Sequence, residues 1–274
     1  MPAVYVSRLS SNNPPPFAPR GPMLKLDSCP MPDPRTHRGP HPEDAALFDR
    51  ATWPSLQAAV GDYSWLLSRG YAEPSAIKIV GDRYALDKRQ RMAVVRSSCT
   101  DAAREVRQSK QLSPDRIAGK PLWIDGFNVL TTLEVALSGG VVLAGRDGCY
   151  RDIAGVHGTY RKVEETRPAI LHAGECIARL RPAETAWFLD SPVGNSGRLK
   201  LQLLEIAAER GWNWSVNVVP NPDAVLIEAE AVVATADSII LDRCQRWFNL
   251  ARIVIDALPN VAYCIPMGDE SAAR

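Results

Sequence analysis

Apolar positions in this chain change period part-way along. Between residues 41 and 112 the spacing is helical: Leu56, Ala59, Val60, Tyr63, Leu66 and Leu67 follow the i, i+3, i+4, i+7 pattern of an amphipathic helix, which Gly70 is placed to end. A shorter element is expected over 75–80, then a turn at Gly81-Asp82 and a helix capped by Asp87 that runs from Lys88 towards Lys110. Ser113, Pro114 and Gly119-Lys120-Pro121 mark a linker over 113–120. Over 121–268 the pattern alternates. Short apolar strands are expected at 122–125, 141–143, 185–189, 214–219, 231–235 and 261–265, with helices over 161–180, 196–210 and 242–258. Strands joined by helical crossovers imply a mostly parallel sheet covered on both faces. The fold class is therefore α/β, preceded by a small helical domain.

Composition adds the ends of the chain and removes several function classes. Residues 1–40 hold 10 of the 22 prolines and read as a disordered tail, within which Met23 and Met31 are alternative start positions; 269–274 form a second tail. With no run of about 18 apolar residues and no signal-peptide pattern, a cytoplasmic protein is expected, with no membrane partner. The six cysteines include no C-x-x-C pair, so they read as reduced thiols rather than a zinc site. The formal charge of +1 conceals an uneven distribution: 5 basic and 2 acidic groups over 1–40, 13 and 10 over 41–120, and 14 and 19 over 121–274. The basic stretch from Lys78 to Lys110, which includes Lys88, Arg89 and Arg91, is either a backbone-binding face for nucleic acid or a solvated helix face.

Candidate chemistry lies with the acids. In open α/β sheets ligands bind at the carboxyl ends of the strands. Asp125 ends one apolar run and Asp190 another, Asp237 follows Val232-Val233-Ala234-Thr235, and Asp223 follows Val218-Val219-Pro220 by a few residues. If the strands are parallel, three or four carboxylates meet at one edge, an arrangement that calls for a cation. Mg²⁺ and Mn²⁺ prefer such oxygen ligands and activate water in phosphodiester cleavage. The bland alternative is local capping, with Asp237 starting a helix and Asp190 holding a turn.

The run Ile124-Asp125-Gly126-Phe127-Asn128-Val129 resembles the D-G-x-N strand of the NYN branch of PIN-like nucleases. Phe188-Leu189-Asp190 resembles their second acidic strand end, and Thr235-Ala236-Asp237 the closing T-x-D. The resemblance covers roughly 121–265 and implies a PIN-like three-layer fold with metal-dependent ribonuclease or flap-type nuclease activity. It makes Asp125, Asp190 and Asp237 metal ligands and gives Asn128 the orienting of a ligand or water, with Asp223 a weaker match. Two departures stand out: Ile239 occupies a position where many relatives carry another acid, and an insertion runs from Gly139 to Tyr160. The two-part layout also resembles an uncharacterised bacterial and archaeal family.

Further groups are candidates for holding substrate. Ser196, Arg198 and Lys200 stand at a helix start just after Asp190, where backbone N–H groups could hold a phosphate or Asn195 and Ser196 simply cap. Arg146, Arg151, His157 and Arg161 lie in a polar loop that could grip a nucleic-acid backbone or form a salt-bridged hairpin. No G-x-S-x-G, P-loop or G-x-G-x-x-G motif appears, which argues against a serine hydrolase, a P-loop nucleotidase and a Rossmann dehydrogenase. The expectation is a metal-dependent nuclease acting on RNA more than DNA. Its rivals are a non-catalytic nucleic-acid-binding protein on the same, degenerate fold and a phosphatase or nucleotide hydrolase of small substrates.

Overall fold

A computed structural model describes residues 37–153, 160–259 and 263–268. Most of the proline-rich tail, the C-terminal tail and His157 lie outside the described residues.

The first elements are helices: α1 (Asp44–Leu47), α2 (Trp53–Ser68), α3 (Glu73–Arg83), α4 (Lys88–Ser97) and α5 (Asp101–Lys110). Leu56, Ala59, Val60 and Tyr63 form the buried stripe of α2, which ends where Gly70 takes a φ of +78°. The single helix expected from Lys88 to Lys110 is two. Ser98 is extended, and the Thr100 hydroxyl accepts the N–H of Ala103 at 3.1 Å, so a side-chain cap competes successfully with continuation of the helix.

The α/β part runs β1 (Pro121–Asp125), α6 (Gly126–Leu137), β2 (Val141–Ala144), β3 (Tyr150–Asp152), α7 (Thr166–Leu180), β4 (Glu184–Asp190), α8 (Ser196–Arg210), β5 (Trp214–Val219), α9 (Pro222–Ile227), β6 (Val232–Ala234), α10 (Ser238–Arg243), β7 (Trp247–Phe248), α11 (Leu250–Asp256) and β8 (Tyr263–Pro266). Five of these strands form a parallel sheet in the order β5-β4-β1-β6-β7. Alternation divides the strand side chains between two cores. Leu122, Ile124, Trp187, Leu189 and Ala234 pack with residues of α6, α7, α8 and α11, whereas Phe188 and Val233 pack with Leu226 of α9 and Ile240 of α10. The result is a three-layer α/β arrangement.

Three sequence expectations are corrected here. The strand at 141–143 is present as β2, and the final strand, shifted to Tyr263–Pro266, pairs parallel with it instead of joining the main sheet; with β3 they form a separate three-stranded sheet. The helix expected over 242–258 is interrupted by β7, because Trp247 and Phe248 are fully buried at the sheet edge. The helix expected to begin at Arg161 begins at Thr166.

The helical part does not stand alone. Val141, Leu143, Ile265 and Met267 of the small sheet and its flank share one apolar core with Phe48, Leu56, Tyr63, Val80 and Val94. At the other end, Leu112 donates its N–H to the Trp247 carbonyl at 2.8 Å, and the Trp247 indole donates to the Arg107 carbonyl at 2.7 Å. Residues 35–274 accordingly cluster as one unit. Among the described residues no helix is long and apolar enough to cross a membrane.

Candidate functional site

Parallel pairing puts the ends of β1, β4 and β6 side by side. Asp125 pairs in register with Phe188, two residues before Asp190, and Ile124 pairs with Ala234, so the loop carrying Asp237 leaves the sheet beside Asp125. Gly126 permits this close approach: a Cβ there would lie 2.5 Å from a Leu189 methyl and 2.9 Å from the Phe188 carbonyl oxygen, a contact only glycine avoids. Asp125, Asn128, Asp190, Asp223 and Asp237 all line one cleft of about 480 Å³.

A chain of hydrogen bonds connects the first and last acids. The Thr235 hydroxyl donates to the Asp125 carboxylate at 2.8 Å and accepts the Asp237 N–H at 2.9 Å. Asn128 accepts the Ala236 N–H at 2.8 Å, which ties the start of α6 to the same loop. Asp237 also caps α10: one carboxylate oxygen accepts the N–H groups of Ile239 and Ile240. Capping and site membership are therefore not alternatives at this residue.

Burial and, for two of the acids, neighbouring charge oppose ionisation in the cleft. Burial, then the charges of Asp237, Asp223 and Asp190, push the Asp125 carboxyl up to about 7 against the pull of its Thr235 hydrogen bond. Burial raises Asp190, and burial followed by Asp237 and Asp190 raises Asp223. Among the described residues no three His, Cys, Asp or Glu side chains are grouped tightly enough to hold a metal ion as they stand. The donor set nonetheless suits a hard cation: it consists of carboxylate oxygens carrying excess negative charge, and Mg²⁺ is commonly held by only one or two carboxylates with water completing its shell.

Most of the basic residues singled out in the sequence are committed elsewhere. Arg89 is bound by the buried carboxylate of Asp44, and Arg91 donates to the Leu86 carbonyl and the Asp82 carboxylate; with the exposed Lys88 they lie outside the cleft. Arg146 donates to the Cys99 carbonyl and pairs with Asp101. Ser196 donates its hydroxyl to the carbonyls of Asp190 and Val193, so the hydroxyl shapes the turn after Asp190; neither it nor Asn195 caps α8 with a side chain. Arg198 is exposed, Lys200 and Arg161 are half-buried, and none of the three lines the cleft.

Arg151 does line it, as a brace. Its guanidinium grips Asp147 through two bonds of 2.8 and 2.6 Å and donates to the Ala236 carbonyl at 2.8 Å. Asp147 also takes a 2.6 Å bond from Arg107 of α5, which reaches Asp242 at 2.6 Å. Burial opposes ionisation of Asp147, but Arg151 and Arg107 outweigh it and hold the carboxyl well below the usual carboxylate range. This Arg–Asp–Arg group fixes the loop that presents Asp237. Sequence reasoning missed Thr131, the bracing role of Asp147 and Arg107 and the cleft position of Arg96; Arg96 and Arg107 were visible only among the nine bases between Lys78 and Lys110, and Asp147 only within a polar loop.

Comparison with known proteins adds family relationships. Residues 114–253 match the family described as Domain of unknown function (DUF5616), and residues 55–110 match Protein of unknown function (DUF434). The chain is similar to a protein of Methanocaldococcus jannaschii described as Uncharacterized protein MJ0935, at 32% identity over 187 residues that cover 68% of this chain and 89% of that protein. No solved structure matches the chain at a significant level.

Proposed function

The chain belongs to the family described as Domain of unknown function (DUF5616), and from the chemistry of its cleft we propose a metal-dependent nuclease with a PIN-like site, acting on RNA more than DNA in the cytoplasm. The observation that carries this reading is that Asp125 and Asp190, at the ends of two neighbouring parallel strands, line one cleft with Asp223 and with Asp237, which follows the next parallel strand. Buried, unpaired thiols at Cys99, Cys149, Cys176 and Cys244 fit a reducing compartment. RNA is put forward on the resemblance of the Asp125 and Asp237 segments to NYN-type motifs.

Asp125, Asp190, Asp223 and Asp237 would hold Mg²⁺ or Mn²⁺. Such an ion lowers the pKa of bound water and stabilises negative charge on the phosphodiester. Burial first, and then three neighbouring acids, oppose ionisation of Asp125, so positive charge entering the cleft would favour its carboxylate form. Thr235 fixes one oxygen of that carboxylate, and Asn128 and Arg151 hold Ala236 from either side by its N–H and its carbonyl, so Asp237 is presented from a braced backbone. The Asn128 amide keeps its NH₂ group as a donor at the cleft wall.

Wild-type protein is expected to cleave labelled single-stranded or structured RNA with Mn²⁺, and Asp125→Asn and Asp237→Asn each to lower the rate by about 100-fold or more. Activity that survives both substitutions rejects the site. One observation favours a non-catalytic binding protein: Ile239, at the position where many PIN relatives carry an acid, is 53% exposed at the cleft. That alternative gives an RNA gel shift without cleavage.

A further inference from the structure

Arg96 enters the cleft from the last turn of α4, so the helical part contributes a side chain to the same cavity as the aspartates. Its Nη1 donates to the Asp152 carbonyl at 2.7 Å and lies 3.8 Å from that residue's carboxylate. One nitrogen is thus anchored while the side chain stays 33% exposed, and Asp152 is its one partner among the described residues. The other cation lining the cleft, Arg151, is buried and already bonded to Asp147 and Ala236.

A second feature points the same way. Thr131 is 2% exposed and lines the cleft, and its hydroxyl has no hydrogen-bond partner among the described residues. Thr132, next to it on α6, donates to the Asp152 carboxylate at 3.2 Å, which places this stretch of α6 by the anchor of Arg96. A buried hydroxyl left unpaired is unfavourable, and an acceptor oxygen on a ligand would complete it. A guanidinium partly exposed in the cleft and an unused hydroxyl on a cleft-lining residue suit an anion with several acceptor oxygens.

We propose that Arg96 and Thr131 form a subsite for a backbone phosphate of the nucleic acid, adjoining the phosphate that meets the aspartates. This rests on the nuclease reading of the cleft. It assigns the helical part's grip on substrate to Arg96, in place of Lys88, Arg89 and Arg91.

The test is fluorescence anisotropy with a short labelled single-stranded RNA, Ca²⁺ replacing Mn²⁺ to hold back turnover, over a series of salt concentrations. Arg96→Gln, which can keep a hydrogen bond to the Asp152 carbonyl, is expected to weaken binding about 10-fold and to flatten the slope of log K against log salt by about 0.7, the loss of one phosphate contact. Arg96→Lys should retain the slope. Thr131→Val, nearly isosteric, should weaken binding about threefold with the slope unchanged. In Mn²⁺ cleavage Arg96→Gln should raise KM about 10-fold and leave kcat within about threefold. Wild-type slope and affinity in Arg96→Gln overturn the subsite while a cleaving wild type keeps the nuclease reading. A wild type that binds without cleaving, and still loses slope in Arg96→Gln, keeps the phosphate contact and rejects turnover. A wild type that neither binds nor cleaves overturns both.

Discussion

Asp147→Ala is expected to destabilise the protein by about 3–5 kcal/mol, the usual cost of breaking a buried ion pair from one side. Asp147 is the one carboxylate between Arg107 and Arg151, each held at 2.6 Å, and all three side chains are at least nine-tenths buried. Removing it leaves two desolvated guanidinium groups, one of which would retain Asp242 and the other, among the described residues, only the Ala236 carbonyl. Urea unfolding followed by tryptophan fluorescence measures the effect. A triple replacement of Asp147, Arg107 and Arg151 by leucine and two methionines should recover much of the loss, because apolar side chains of similar volume need no counter-charge. A loss in Asp147→Ala of less than about 1 kcal/mol would contradict the burial and pairing described. Since this group also braces Ala236, the alanine variant should lose Mn²⁺ binding together with stability.

Asp125→Asn is expected to act in the opposite direction on stability while removing function. The folded protein holds the Asp125 proton up to about pH 7, whereas an unfolded chain releases it near pH 4. Folding stability from this group is therefore complete below about pH 4 and falls as pH rises to about 7, above which the penalty is constant. At about 1.4 kcal/mol for each tenfold change in proton affinity, that penalty is on the order of 4 kcal/mol for metal-free protein. Asparagine keeps an acceptor for the Thr235 hydroxyl and carries no charge, so the variant should melt higher than wild type at pH 8 in EDTA and equally at pH 4. Added Mn²⁺ should raise the melting temperature of wild type far more than that of the variant. A variant less stable than wild type at pH 8, or a difference independent of pH, would show that burial and neighbouring acids do not oppose ionisation of Asp125 as described. Stability gained by removing a functional group is the expected signature of a site held ready for a ligand.

The acids were legible in the sequence because each follows a short apolar run. Ile124, Leu189 and Val233 mark buried strands whatever their neighbours, and helical crossovers make those strands parallel, so Asp125, Asp190 and Asp237 had to share an edge. The insertion between Gly139 and Tyr160 was legible only as an interruption. Its strand β2 pairs with β8, more than a hundred residues away, and such pairing leaves no local period to read. The pairing of the basic residues was illegible for a related reason. Arg89 and Arg146 each find a carboxylate 45 residues away, at Asp44 and Asp101, and charge counted along the chain cannot separate a paired arginine from an open one. Arg96 differs from Arg91 only in which face of α4 meets the small sheet, a matter settled by packing.

The most direct test of a shared cation site is a crystal soaked in Mn²⁺ and measured at the manganese absorption edge. The account predicts an anomalous peak in the cleft within about 2.5 Å of carboxylate oxygens from at least two of Asp125, Asp190, Asp223 and Asp237, lost in Asp125→Asn. An empty cleft at millimolar Mn²⁺, or manganese bound only elsewhere on the protein, would contradict it.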